Sequence, residues 1–434
     1  MKLWNKDSTN TSGLIEAFTV GRDKEFDQWL AVYDVRGSLA HAEMLNQVGL
    51  LTDDEWNLIK KELENILTEI HSGKFKMDEH VEDIHSQIEW MLTQRIGEAG
   101  KKIHSGRSRN DQVALDIKLY LRTEIQNLKD EAKSLFDLLI LQSEKFRDRL
   151  FPGYTHLQVA MPSSFGLWFG AYAESLIDDL ELLAAAYHIV NKNPLGSGAG
   201  YGSSFPLNRM MTTRLLEFGA LNYNSVYAQM TRGKSEKITA MAMSSLAATL
   251  SKLSMDCTLY MSQNFGFISF PENLTTGSSI MPHKKNPDVF ELIRAKSNRI
   301  QSLPNEITLL TNNLPSGYHR DLQLTKEIIF PAIEELKSCF AMARLMLSQI
   351  SIKDNILDDE KYKYIFSVDA VNALVQKGMS FRDAYKKVGN DIDQGKFEAP
   401  PSSRAGYGVH EGSIGNLSNE SIKDEMEKVL TKFS

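Results

Sequence analysis

The amino-acid sequence predicts an all-α protein: a central bundle of long helices with smaller N- and C-terminal helical domains. Prolines are sparse, and three long intervals, 111–151, 207–270 and 332–399, contain none. Apolar residues recur within these intervals every three or four positions, as on one face of a helix. Segments that alternate apolar and polar residues, as strands do, are scarce.

The longest predicted helix lies in the first proline-free interval. A helix of about 39 residues would run roughly 58 Å, well beyond the length of an ordinary globular helix. Rods of this length are stable when they pack side by side in a bundle. The apolar positions that predict the helix are Leu115, Leu119, Ile125, Leu128, Ala132, Leu135 and Leu139.

Further rods are predicted at 163–191 and 234–264, and a fourth begins after Pro287 and bends near Pro304. The second of these segments is rich in Ala, Ser and Met, which suits close contact between helices. Bundles of this kind often continue across a subunit interface. We therefore expect a homo-oligomer.

Shorter helices are predicted on both sides of the bundle. Thr52 and Glu55 form a capping-box pattern ahead of an apolar series, which marks the start of one of them. The expected division is an N-terminal helical domain at 1–110, the central bundle at 111–353 and a C-terminal helical domain at 354–434.

The composition excludes several classes of protein. Of the 434 residues, 42% are hydrophobic and 24% are charged, as in ordinary globular proteins. The net charge is −7 without long blocks of one sign, so nothing favours nucleic-acid or membrane binding. The segment 1–7 lacks the apolar stretch of a signal peptide, and no apolar run approaches the ~18 residues of a membrane span. We expect a cytoplasmic protein.

No metal or organic cofactor is expected. Cys257 and Cys339 form no CxxC motif and are predicted to be buried thiols. The histidines show no zinc spacing, and His80 and His85 are off-pattern. The glycine-rich segment 196–200 fits neither dinucleotide- nor nucleotide-binding motifs, so we interpret it as a turn where backbones pack closely.

Polar and glycine residues that interrupt the helices fall into three clusters. We call them the arginine cluster (104–111), the histidine cluster (153–158) and the serine–lysine loop (276–288). Each lies at an end of a predicted long helix. Helix bundles build sites where such ends converge.

The serine–lysine loop carries the most chemistry. A glycine and two prolines exclude a helix across it. Isolated Ser–Ser or Lys–Lys pairs are generally solvated loop residues, but here they occur together with a carboxamide. Serine is a poor base unless its alkoxide is stabilised, and neighbouring ammonium and amide groups would do that. The residues concerned are Ser278, Ser279, Lys284, Lys285 and Asn286.

The arginine cluster places Arg107 and Arg109 beside Asn110, just before a helix. Two guanidinium groups suit carboxylates, which they grip with paired hydrogen bonds. A helix N-terminus adds backbone donors for the same anion. The alternative is that these are surface arginines beside a helix cap at Asn110.

The histidine cluster places His156 in a predicted short loop between Pro152 and Pro162. Histidine titrates near neutrality and can act as acid or base, and Thr155 and Gln158 add hydrogen-bonding groups. The alternative is a structural histidine.

Taken together, these motifs resemble the fumarase/aspartase superfamily and, within it, the argininosuccinate lyases. The superfamily consists of all-α homotetrameric lyases and relatives, most of which release fumarate. The resemblance covers roughly residues 16–385. The matching segments are GSSIMPHKKN at 277–286, HSGRSRNDQ at 104–112, GYTHLQ at 153–158, EDIH at 82–85, PLGSGA at 194–199, ELIR at 291–294 and YHRDLQLTK at 318–326.

The resemblance implies catalytic roles for Ser278, His156, Lys284 and Glu291. Ser278 would be the base that removes a Cβ proton next to a carboxylate. Lys284 and Asn286 would bind that carboxylate as it becomes a dianion. His156 would act on the acid side, helping to protonate the departing guanidino nitrogen, with Glu291 as its polar partner.

The resemblance also implies how the substrate is held. Each active site would combine the three clusters from three different subunits of a homotetramer, without a cofactor. Arg107 and Arg109 would support the anionic end of the substrate. The remaining substrate-binding residues would be Asn110, Thr155, Asn286, Tyr318, Gln323 and Lys326.

The sequence departs from the family pattern at several positions. His283 stands where the family has glutamine, and Ser105 where it has threonine; both keep a polar group. At 18–23 the family offers a substrate-binding serine, whereas this chain has an apparent two-residue surplus. The segment 400–415 is unlike the common form.

Two alternatives remain open at this point. The chain could be another fumarate-releasing lyase of the superfamily, namely a fumarase, an aspartase or an adenylosuccinate lyase; the arginine cluster and Lys284, Lys285 and Asn286 speak against this. It could also be a non-catalytic, crystallin-like structural protein on the same scaffold. The presence of every assigned catalytic residue argues against the second.

Overall fold

The computed structural model describes residues 13–78, 81–399 and 410–434 and confirms the all-α fold class. The expectations for 1–7 and for most of 400–415 lie outside the described residues. The helices are α1 Gly13–Val20, α2 Asp23–Asp27, α3 Ala31–Gln47, α4 Asp53–His71, α5 Ile84–Ile96, α6 Glu98–Lys101, α7 Arg109–Lys145, α8 Phe165–Val190, α9 Arg209–Leu215, α10 Ser225–Met230, α11 Lys234–Met261, α12 Asp288–Ile300, α13 Leu303–Leu310, α14 Thr325–Ser348, α15 Ser367–Gln376, α16 Phe381–Asp393 and α17 Asn419–Leu430.

Four long helices, α7, α8, α11 and α14, form the centre of the molecule and pack against one another. They confirm the predicted rods: α7 has 37 residues, α8 has 26 and α11 has 28. Their inner faces share one continuous apolar core with the N-terminal helices. Fully buried members from the four helices are Leu128, Leu135, Leu176, Leu246, Leu250, Phe330 and Leu336.

The fourth predicted rod is interrupted rather than bent. Helix α12 ends at Ile300, and α13 starts at Leu303 with Pro304 in its first turn. Proline lacks the N–H that a continuous helix would need, but it is well tolerated where a new helix begins. By contrast, Pro331 lies inside α14, within its second turn.

Among the described residues, strands are short, as expected, except for the two that form a hairpin. The strands are β1 Leu150–Thr155, β2 Gln158–Ser164, β3 Lys192–Asn193, β4 Ala220–Leu221, β5 Ile268–Ser269 and β6 Ser351–Ile352. β1 and β2 form an antiparallel hairpin in which Pro152 faces Pro162. The predicted short loop between these prolines is therefore wrong, because the chain pairs with itself across a tight turn.

Two helix starts show how the sequence sets the element boundaries. The capping box predicted at Thr52 is present, with Glu55 as its reciprocal partner. Helix α7 is capped by Ser108 in a second capping box with Asp111, not by Asn110. Asn110 is consequently inside the first turn of α7.

No described helix is both long and apolar enough to pass through a membrane.

We predict that Leu128→Ala, in the buried face of α7, lowers the free energy of unfolding by about 2–5 kcal/mol, because it leaves a cavity in a close-packed core. Urea denaturation at fixed protein concentration measures this. The matched control is Leu58→Ala on α4, where the side chain is 50% exposed; its cost should stay below about 1 kcal/mol. Equal costs for the two variants would show that the α7 face is not the core.

Candidate active site

A cavity of about 140 Å³ lies beside the N-terminal end of α7; we call it the α7 cavity. Its wall combines the start of α7, the end of α1, α2, the start of α5 and the segment leading into α14. In the sequence, the first and the last residue of this wall are more than 200 positions apart. The predicted substrate-binding residues that line it are Arg109, Asn110, Tyr318, Gln323 and Lys326.

Charges of both signs are paired around the α7 cavity. Lys326 lies 2.6 Å from Asp23 and also contacts Asp27. Burial disfavours its ammonium form, but these two carboxylates outweigh that effect and raise the pKa of Lys326. The pKa of Asp23 is also raised, to about 6, because burial and the nearby Asp27 disfavour its charged form.

The opposite side of the cavity holds two more ion pairs. Arg109 lies 2.9 Å from Asp83, and Arg320 lies 3.0 Å from Glu82. The guanidinium of Arg232 lies 5.9 Å from the ring centre of Tyr318. A cavity with paired carboxylates and cations suits a ligand that carries charges of both signs.

The segment 18–23, which departs from the family pattern, forms part of this wall. Gln323 donates hydrogen bonds to the carbonyls of Thr19 and Val20, at 3.1 and 3.2 Å. In this chain, a predicted substrate-binding side chain thus contacts the main chain of this segment.

Arg107 behaves differently from the other residues of the arginine cluster. It does not line the α7 cavity, and its guanidinium donates to the hydroxyl of Ser38 on α3 at 3.0 Å. The structure therefore separates Arg107 from Arg109 and Asn110, which do line the cavity. Its predicted part in holding the anionic end of the substrate remains a prediction.

The histidine cluster is the tip of the β1–β2 hairpin. Thr155 pairs with Gln158, so His156 and Leu157 form a two-residue turn. Both have positive φ, 54° and 56°, as a type I′ turn requires. Neither residue type favours this conformation, and strained turns of this kind often occur at functional sites. Thr155 and His156 are exposed.

The serine–lysine loop is closed at its base by a bridge between Thr276 and Asn286. Asn286 also donates from its side chain to the carbonyl of Gly277 at 3.1 Å. The predicted absence of a helix here is confirmed, because α12 begins only at Asp288. The loop is thus held as a unit while its tip stays open to solvent.

Ser278 occupies a favourable electrostatic position in this loop. Its hydroxyl oxygen accepts hydrogen bonds from the backbone N–H groups of Met281, at 3.1 Å, and Ile280, at 3.4 Å. Donors aimed at an oxygen stabilise negative charge on it. Lys284 and Glu291 line an open cavity of about 600 Å³ beside the loop.

The arginine cluster does not meet the other two clusters within the chain. The arginine cluster precedes α7 and the histidine cluster follows it, and 37 helical residues span about 55 Å. Arg232, at the α7 cavity, and Met261, beside the serine–lysine loop, are likewise separated by α11, whose 28 residues span about 42 Å. Within the described residues of the chain, no hydrogen bond or ion pair joins His156 to Glu291.

Sequence reasoning missed His85, which lines the α7 cavity. Its Nδ1 lies 2.6 Å from Asp34 and 3.6 Å from Asp116, and all three side chains are buried. Burial lowers the pKa of His85, but the carboxylates of Asp34, Asp116 and Asp83 outweigh it and raise the pKa to about 9. The ring is therefore an imidazolium at neutral pH.

His85, Asp34 and Asp116 are close enough together to share a metal ion. The 2.6 Å contact, however, is a hydrogen-bond distance, which fits a proton between imidazole and carboxylate. In the sequence, His85 belongs to the matching EDIH segment and fits no zinc spacing, and neither feature indicates its role. Its partners come from α3 and α7, which no local pattern reveals.

Comparison with known proteins places the chain in a family. Residues 8–302 match the Lyase_1 family, described as lyases. An argininosuccinate lyase of Parabacteroides distasonis is 59% identical over 433 residues, covering 100% of this chain and 96% of that protein. One from Bacteroides thetaiotaomicron is 57% identical with the same coverage. One from Thermotoga neapolitana is 38% identical over 387 residues, 89% of this chain and 97% of that protein.

Solved structures show the same architecture. An EDDS lyase in complex with formate has a TM-score of 0.73 at 21% identity and covers 98% of this chain and 91% of its own. A fumarate lyase:delta crystallin from Brucella melitensis bound to cobalt has a TM-score of 0.71 at 16% identity, over 95% of this chain and 92% of its own. At these identities the likeness supports the fold alone.

Fold and sequence together define a lyase of the fumarase/aspartase superfamily. Within that class, the chain belongs to the argininosuccinate lyase family, since the identity with its members reaches 59% over the full length of the chain. The resemblance found in the sequence is confirmed.

We predict a pH-dependent contribution of His85 to stability. A pKa raised from 6.5 to about 9 stabilises the folded state below pH 6.5, and this contribution is lost as the pH rises through about 9. The free-energy difference between wild type and His85→Gln should therefore be largest near pH 6 and shrink by up to about 3 kcal/mol towards pH 9.5.

Urea denaturation at several pH values measures this difference. The comparison with the variant is needed because Lys118 acts in the opposite direction: burial lowers its pKa to about 7, so it adds stability as the pH rises. A difference that stays constant with pH would contradict an imidazolium at His85.

Proposed function

We propose that the chain cleaves argininosuccinate into arginine and fumarate by reversible β-elimination, as the last step of arginine biosynthesis in the cytoplasm. Its relatives of 56–59% identity are named argininosuccinate lyases. The observation that carries the proposal is the pair of backbone N–H groups aimed at the Ser278 oxygen. They supply the stabilisation that a serine base needs.

In the proposed reaction, Ser278 takes the Cβ proton next to a carboxylate of the substrate. The electron pair moves into the new carbon–carbon double bond, and the carbon–nitrogen bond breaks. The departing guanidino nitrogen is protonated from the side of His156, with Glu291 as its polar partner. Lys284 and Asn286 hold the carboxylate whose negative charge increases in the transition state.

The α7 cavity would hold the other part of the substrate. Arginine carries an ammonium, a carboxylate and a guanidinium, so it needs partners of both signs. The paired charges around Arg109 and Lys326 meet this need. The remaining proposed substrate-binding residues are Arg107, Asn110, Thr155, Asn286, Tyr318 and Gln323.

We propose that the enzyme is a homotetramer whose active sites are shared between subunits. The lengths of α7 and α11 keep the arginine cluster at one end of the bundle and the other two clusters at the other end, so the proposed site needs at least a second chain. Large apolar side chains on the outside of the bundle would form the interface. Examples on α7, α8, α11, α12 and α13 that are at least 49% exposed are Leu141, Leu182, Met241, Leu292 and Leu309.

We predict that Ser278→Ala lowers kcat by at least about 10²-fold, because the base is lost. The release of fumarate from argininosuccinate, followed by its ultraviolet absorbance, measures this. The matched control is Ser279→Ala, which removes the exposed neighbouring hydroxyl and should keep most of the activity. Full activity of the Ser278 variant would refute its role, and cleavage of adenylosuccinate but not argininosuccinate by the wild type would refute the substrate.

Shared active sites predict that two inactive variants restore each other. Ser278→Ala and His156→Ala subunits, mixed and reassembled after mild denaturation, should regain fumarate release, because some sites then receive both wild-type residues from different chains. Each variant treated alone is the control. Absence of recovery in mixtures that form hetero-oligomers would contradict shared sites.

A further inference from the structure

Helix α3 carries a buried polar stripe that the proposed mechanism does not use. Asp34, Ser38 and His41 lie at helical spacing on one face, and none is more than 2% exposed. The stripe faces α7 where Gly37 allows a close approach: a Cβ at this glycine would lie 2.6 Å from Leu115. Buried polar groups are costly unless they have partners.

Each member of the stripe has its own partner. Asp34 binds His85, as described above. Ser38 accepts the hydrogen bond from Arg107 at 3.0 Å. His41 Nε2 lies 2.9 Å from the carbonyl oxygen of Ser105. Two of the three contacts thus hold residues 105–107, which lead directly into Arg109 and Asn110.

The protonation of His41 follows from its surroundings. Burial and the nearby positive charge of Arg107 lower the pKa of His41 to about 3, so the ring is neutral at physiological pH. A neutral imidazole carries one N–H, and only a donor can bind a carbonyl oxygen. The proton is therefore on Nε2, which donates to Ser105.

The other side of the arginine cluster is held by Asp111. One oxygen of its buried carboxylate accepts from the backbone N–H of Ser108, and the other accepts from those of Gly196 and Gly198. The glycine-rich turn thus contacts the side chain of Asp111 through its backbone N–H groups. The start of α7 is thus fastened between this turn and α3.

We propose that His41 and Ser38 are positioning residues for substrate binding, which act by fixing residues 105–107 so that Arg109 and Asn110 point into the α7 cavity. This inference rests on the proposed function. Neither residue lines the cavity, so their effect passes through the backbone. Displacements near 1 Å in a binding group cost up to about 10²-fold in efficiency.

The test compares three variants of the full-length enzyme. His41→Leu fills the space but removes the donor, and it should raise the KM for argininosuccinate at least about tenfold, with a smaller change in kcat. His41→Gln places an amide N–H near the position of Nε2 and should restore KM to within about threefold of wild type. Ser38→Ala removes the acceptor for Arg107 and should also raise KM.

Leu45→Ala is the matched control, because it removes a fully buried side chain one turn further along α3 and lowers thermal stability without touching residues 105–107. Its KM should stay at the wild-type value. The inference is overturned if His41→Leu and Ser38→Ala keep the wild-type KM, or if Leu45→Ala raises KM as much as they do. A wild-type enzyme that does not cleave argininosuccinate would instead refute the proposed function.

Discussion

The length and rigidity of the central helices constrain everything else in this molecule. Helix α7 holds the arginine cluster at one end and leads to the His156 hairpin at the other, about 55 Å away. A packed helix of this length cannot fold back to bring its ends together. Within one chain, the arginine cluster and His156 therefore lie too far apart to share one site, so the proposed chemistry requires at least a second chain.

The same bundle supplies the local electrostatics. Around the α7 cavity, buried charges are matched: Lys326 with Asp23 and Asp27, and His85 with Asp34 and Asp116. Such pairs are expensive to desolvate and are disrupted when one partner is removed. At the other end, Ser278 depends on backbone donors from its own loop. Each half of the proposed site is thus built from residues of a single chain.

Much of this was predictable from local pattern. Apolar spacing located α7, α8 and α11, because helix periodicity is a short-range signal. The Gly and Pro content located the serine–lysine loop. The His156 hairpin was missed because its prolines suggested irregular structure. The partners of His85 and His41 were also missed, since Asp34 and Ser105 lie 51 and 64 positions away and no local spacing connects them.

The most direct test is a crystal structure of the assembled enzyme with argininosuccinate bound, using the Ser278→Ala variant to prevent turnover. The ligand should lie between the α7 cavity of one subunit, the hairpin tip with His156 of a second and the serine–lysine loop of a third. Residue 278 and His156 should face opposite sides of the scissile carbon–nitrogen bond. A ligand contacted by one subunit alone, or a histidine too far away to reach the departing nitrogen, would contradict the account.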